Sequence, residues 1–158
     1  GGKSMTAQKP SYTILFLGRL LTGIVFAYSG YTKLMEPVEN FQAGIAAYEV
    51  IPYMFIPWIA RIVPWIEFLF GIFITIGYMT RLSALVLGGM SLSFVILIAV
   101  TWIVTQELPS DCGCFGEGSF IHFAPYQILL LDIVMTETGV KLFLIKNHPA
   151  SLDNFLNK

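Results

Sequence analysis

The sequence predicts an all-α membrane protein: an antiparallel bundle of four transmembrane helices with a short interfacial helix between spans one and two. Three observations carry that expectation. Hydrophobic residues make up 56% of the 158 and charged residues only 12%, at a mean hydropathy of +0.73, whereas soluble domains carry about 25% charge. A surplus that large has no single globular core to hide in, so the solvent it calls for is lipid. Four apolar stretches, about Tyr12–Tyr31, Pro57–Tyr78, Leu82–Val104 and Ala124–Ile145, each approach the ~20 residues that cross ~30 Å of hydrocarbon as a helix. Short connections after the second and third spans favour an up-and-down order of neighbours. A net charge of −1 without a basic block speaks against nucleic-acid binding.

Taken in order, residues 1–11 form a cytoplasmic tail, in which Gly1-Gly2-Lys3-Ser4 ahead of Met5 reads as a remnant of expression. Residues 12–146 form the transmembrane domain and 147–158 a cytoplasmic C-terminal tail. Span one has a small-residue Ala27-Tyr28-Ser29 site like that of a signal peptide. Its apolar run is longer than the ~7–15 residues of a signal core and it contains Arg19, so it is read as a retained helix. Between Val38 and Pro52, Phe41, Ile45 and Tyr48 fall at i, i+4 and i+7, the stripe of an amphipathic helix on the outer interface, either a partial lid or a plain connector. Pro64 removes one hydrogen bond within span two and predicts a kink one turn before Glu67.

Orientation follows from Lys and Arg. Lys3, Lys9, Arg81, Lys146 and Lys158 fall on one side and Lys33 on the other, while the Thr105–Phe123 connection has acidic residues and neither Lys nor Arg. The positive-inside rule places both termini in the cytoplasm and that connection outside, in the periplasm if the host is a bacterium. There disulfides form and persist.

That connection holds the two cysteines of the chain, in the stretch SDCGCFGEG. A pair at i and i+2 closes a small ring if the residue between bends freely, as Gly113 does. Such a ring is a poor staple, because it closes almost no loop, and its strain makes it more oxidising. Gly116 and Gly118 keep bulk away from the sulfurs, and Phe115 offers an apolar surface beside them. Cys112 and Cys114 are therefore the candidate catalytic residues, for thiol–disulfide exchange. Inert free thiols and a zinc or copper(I) site of Cys112, Cys114 and His122 are the alternatives; the metal set lacks a good fourth ligand, with Asp111 or Glu117 the remaining donors. His122 either stabilises a thiolate or sits at the interface as an ordinary polar residue.

Ionisable residues inside spans usually have a task. Arg19, Glu67 and Glu137 are expected to meet as an interior pair, with Arg19 neutralising one of the carboxylates, either as a clasp between helices or in catalysis. Asp132, beneath the cysteine connection, is a candidate proton relay, with His122 and Asp111 able to tune the thiols. Trp58 and Trp65, with Tyr53, form an outer aromatic belt or, with Phe115, the rim of a pocket for a flat acceptor such as a quinone.

Span one, LGRLLTGIVFAYSGYTKLMEP, resembles the DoxX-like membrane proteins, with Arg19, Gly23, Phe26, Gly30, Lys33, Leu34 and Pro37 on their pattern. IVPWIEFLFGIFITIGYMTR is similar to their second span through Pro64, Glu67 and Gly71, and DCGCFG followed by a fourth span resembles the MauE branch, named from methylamine utilisation. The likeness runs from about Tyr12 to Lys146. It implies an inner-membrane protein working with periplasmic thioredoxin-like proteins to assist disulfide formation, and a link to quinone-coupled thiol oxidation. A second internal cysteine pair is missing, so electrons would pass from partner to Cys112–Cys114 to acceptor. Two other readings stand beside this one: a docking or assembly subunit whose cysteine loop is a recognition surface, and a small transporter or metal-handling protein using Arg19, Glu67 and Asp132 as a polar path.

Overall fold

The computed structural model describes residues 12–107 and 125–144, with the side chains of Tyr12 and Pro125 left aside. The described residues form five helices and no strand: α1 (Tyr12–Met35), α2 (Val38–Ala46), α3 (Ile56–Ile76), α4 (Thr80–Thr105) and α5 (Pro125–Leu144). Three of them, Thr13–Met35 within α1, Ile56–Ile76 and Thr80–Thr105, are long and apolar enough to cross a membrane. Helix α5 has 20 residues but carries Asp132, Glu137 and Lys141, and is not among those three.

Helix α1 runs four residues beyond the expected end of span one and so takes Lys33 into the helix. Pro64 lies inside α3, and the helical run passes through it without a break. The turn from α3 to α4 takes three residues. Gly77 adopts φ 80°, and the amides of Gly77 and Tyr78 both donate to the Phe73 carbonyl at 2.9 Å. A glycine in the left-handed region closes a helix this way without a Cβ clash.

Helix α1 packs most extensively on α3, and α4 on α5. Both pairs are antiparallel. Gly23 of α1 faces Gly71 of α3, while Gly30, further along α1, faces Pro64 and Phe68, earlier on α3. A Cβ on Gly30 would stand 2.5 Å from the Phe68 nitrogen, and one on Gly71 would stand 2.5 Å from that of Ala27. The two backbones touch because side chains are absent there, the small-residue packing that joins helices where lipid offers no hydrophobic contrast. In the second pair, Gly139 of α5 lies against Ala84 and Gly88 of α4, and Arg81 Nε donates to the Phe143 carbonyl at 3.1 Å.

A core of Phe26, Ile74, Ala84, Leu87, Met135 and Leu142 joins the two pairs. The outward faces of α1, α3, α4 and α5 are apolar, with Leu21, Ile62, Leu92 and Leu130 exposed among many others. That is the arrangement of a surface solvated by hydrocarbon. Four hydroxyls on these helices are satisfied locally: Thr75, Ser93, Thr136 and Thr138 each donate to the carbonyl four residues back.

Helix α2 is shorter than the expected amphipathic segment, yet its apolar stripe does turn inward. Ile45 packs with Ile56 and Ala60 of α3. Tyr48, just beyond the helix, is buried edge-on against Phe94 of α4, ring centroids 6.0 Å apart, and the Thr101 hydroxyl donates to its carbonyl at 3.5 Å. The α2 segment is thereby bound to α3 and α4, and it closes the end of the bundle where α1 finishes and α3 begins.

Candidate functional site: a buried ion pair beneath helix α2

The α1 sequence places Ser29 and Lys33 one turn apart on one face, and side chains on a helix lean toward its N-terminus. The Lys33 ammonium therefore folds back along α1 and inward, away from the helix end. It donates to Ser29 Oγ at 3.1 Å and to both oxygens of Glu67 on α3, at 3.0 and 2.8 Å. Ser29 also donates to Glu67 Oε2 at 3.2 Å. Three acceptors match the three donors of an ammonium. The side chains are 4% and 9% exposed, and the Phe41 ring of α2 lies 4.8 Å above the nitrogen, so the pair is roofed by an aromatic face.

Gly30 and Pro64 allow this geometry. Direct backbone contact between α1 and α3 brings Lys33 and Glu67 close enough for two short bonds from one ammonium. On the other side of the bundle Asp132 of α5 is partly buried beside Ser91 of α4, within electrostatic reach of both Glu67 and Lys33. The centre thus gathers one cation, two carboxylates and two hydroxyls from four helices.

Arg19 does not neutralise Glu67; Lys33 does. Arg19 lies ten residues before Ser29 on α1, about 15 Å of helix rise, toward the opposite end of the bundle. It is buried there, its guanidinium 5.2 Å over the Phe16 ring. Glu137 is not interior either: it is exposed and pairs with Lys141 one turn along α5, at 2.7 Å. The expected trio of Arg19, Glu67 and Glu137 is therefore not formed: Glu67 pairs with Lys33 instead. Lys33 reads from sequence as the basic residue of the outer loop, because a span cut at Tyr31 leaves it outside the helix; its spacing of four from Ser29 is the signal that points inward. Arg61, exposed on α3, was likewise left out of the account of charges.

Trp58 and Trp65 point outward from α3, 67% and 56% exposed, Trp58 near the start of the helix and Trp65 about 14 Å of rise along it. Cys112, Cys114, Asp111, Phe115, Glu117 and His122 lie outside the described residues. The ends of their connection are placed, however. Thr101 near the end of α4 touches Tyr48, and α5 starts at that same end because it runs antiparallel to α4. The connection therefore leaves and re-enters the bundle at the end roofed by α2.

A family model described as "Methylamine utilisation protein MauE" matches residues 11–144, a stretch that contains all five helices and both cysteines. No curated protein and no solved structure matches the chain. By the extent of that match, and with its long apolar helices, the chain belongs to the MauE family of membrane proteins.

Proposed function

We propose that this protein is an inner-membrane thiol–disulfide redox protein, with α5 as its fourth crossing, both termini in the cytoplasm and the Cys112–Cys114 connection in the periplasm. The observation that carries this reading is that the connection bearing both cysteines starts and ends at the α2 end, over a centre holding Lys33, Glu67 and Asp132. Elsewhere such intramembrane charges accompany proton movement, and thiol oxidation releases protons.

The cycle balances in two steps. A dithiol of a thioredoxin-like partner, or of its client, attacks the Cys112–Cys114 disulfide through a mixed disulfide. The partner leaves oxidised, and both cysteines of this chain become thiols. A membrane quinone then takes two electrons and two protons from the thiols, restoring the disulfide and leaving as quinol. Asp132, about 10 Å of rise into α5, relays the protons inward, and the outward Trp58 and Trp65 stand where a quinone ring would approach from lipid. The resemblance of spans one and two to the DoxX-like membrane proteins supports the same chemistry.

The test is the midpoint of the Cys112–Cys114 couple in purified protein, read by thiol alkylation and intact mass across glutathione buffers. A reversible two-electron transition well above ~−270 mV, the thioredoxin value, is expected, and Cys112→Ser with Cys114→Ser abolishes partner oxidation. Thiols that stay reduced throughout, or a double variant that still supports the partner, would replace this reading with that of a docking subunit.

A further inference from the structure

Arg61 lies five residues into α3, about 8 Å of rise from its start, on an exposed flank of the helix beside the buried line of Ala60, Pro64 and Glu67. Trp58 and Trp65, at i−3 and i+4, flank it on that outward face. All three are exposed, and no described carboxylate forms an ion pair with Arg61. An exposed guanidinium at the margin of hydrocarbon needs an anion to avoid a heavy desolvation cost. Tryptophan prefers the headgroup level, where its ring is in apolar surroundings and its N–H is wet.

We propose that Arg61, between Trp58 and Trp65, binds the phosphate of an anionic lipid headgroup at the α2 end of the bundle. The guanidinium matches phosphate through two parallel hydrogen bonds; Trp58, one turn nearer the helix start, stands at the glycerol region, and Trp65, one turn deeper, lies against the acyl chains. An anionic lipid is favoured over a zwitterionic one because no ammonium of its own competes for the phosphate. Diffuse attraction is not the cause: Glu39, Glu49 and Glu107 are exposed at this same end and repel anions. Any preference for anionic lipid here must therefore come from Arg61.

The tryptophans report on the site. Trp102, exposed near the end of α4, would confuse the signal, so every protein tested carries Trp102→Phe. In phosphatidylcholine vesicles, bromine-labelled phosphatidylglycerol is compared with bromine-labelled phosphatidylcholine at the same fraction. Quenching by the anionic lipid is expected to correspond to about fivefold local enrichment, the effect of one cation near a membrane surface. Arg61→Gln removes the difference, and Arg61→Lys keeps part of it, with helix content unchanged in both because the side chain is exposed. Equal quenching by the two lipids overturns the proposal, as does a preference that survives Arg61→Gln. A preference abolished by excess inorganic phosphate assigns the site to a free anion. Quenching by a short-chain quinone that depends on Arg61, without any lipid preference, assigns it to an electron acceptor. Either result also overturns the proposal.

Discussion

Lys33 and Glu67 are tolerated inside an apolar bundle only as a pair, and that dictates how their variants should behave. Removing one partner leaves an uncompensated charge, which costs about 3–5 kcal/mol when buried. Removing both with apolar residues of similar size takes away the charge and its desolvation together. Lys33→Met or Glu67→Leu alone should therefore be severely destabilised, while the double variant recovers most of the loss, measured by denaturant unfolding in detergent. Singles and double that lose stability additively would show that the two residues do not act as a unit. Whether the pair also serves the redox cycle is a separate matter. Lys33→Arg keeps a cation for Glu67, so its stability should hold nearer to the native value than that of Lys33→Met.

At this scale legibility in the sequence was uneven. Glu67 was readable as an interior charge from its position in a long apolar run, and so was the presence of a cation opposite it. Its partner was not, because α1 continues through Thr32 and Lys33 to Met35, beyond the uninterrupted apolar run that hydropathy reads. A flexible lysine stem then decides which way the charge points. Asp132 could be placed near the cysteine end by helix rise alone, and the structure adds that Ser91 of α4 lies beside it.

Helices α1 and α3 meet through glycine, and the consequences differ from one glycine to the next. Gly30→Ala places a methyl against backbone atoms of Phe68 and Pro64, which cannot step aside as a side chain would. Overpacking of that kind costs about 1–3 kcal/mol, and it should also lengthen the Lys33–Glu67 contact by pushing the helices apart. Gly89→Ala is the control: no atom lies within 4 Å of the Cβ it would add, so its unfolding midpoint should match the native protein. A stable Gly30→Ala protein would contradict the close approach of α1 and α3.

Four of the five helices were legible as elements from apolar length, and α2 from its i, i+4, i+7 stripe. Their pairing was not, since hydropathy reports what faces lipid and says little about which helix faces which. Small residues held part of that information. Gly23, Gly30 and Gly71 were visible as matches to a resemblance, yet their spacing was not read as a packing seam. The α2 segment shows a related limit: its stripe is equally suited to lipid and to a protein surface, and only the contacts of Ile45 and Tyr48 distinguish the two.

For the molecule as a whole, the connection between α4 and α5 and the ends of the chain are expected on opposite sides of the membrane. A thiol reagent that cannot cross the membrane should label reduced Cys112 and Cys114 in intact spheroplasts, while tags on either terminus stay protected until the membrane is opened. Labelling that needs permeabilised cells would invert the orientation and remove the oxidising compartment from the functional proposal. The two cysteines were the strongest functional signal in the sequence because adjacency, glycine content and loop charge agreed, whereas the charged centre required three dimensions.

The division into an α1–α3 pair and an α4–α5 pair also has a consequence for synthesis. Both members of the Lys33–Glu67 pair belong to the half of the chain made first, before the three-residue turn at Gly77. A ribosome that has released α3 has already supplied everything needed to neutralise the lysine. The first half can therefore leave the insertion machinery as a hairpin with Lys33 and Glu67 already matched, and α4 and α5 arrive afterwards as a second hairpin that docks onto it. The order of manufacture spares the nascent chain from holding a lone buried ion in lipid while it waits for its C-terminal half.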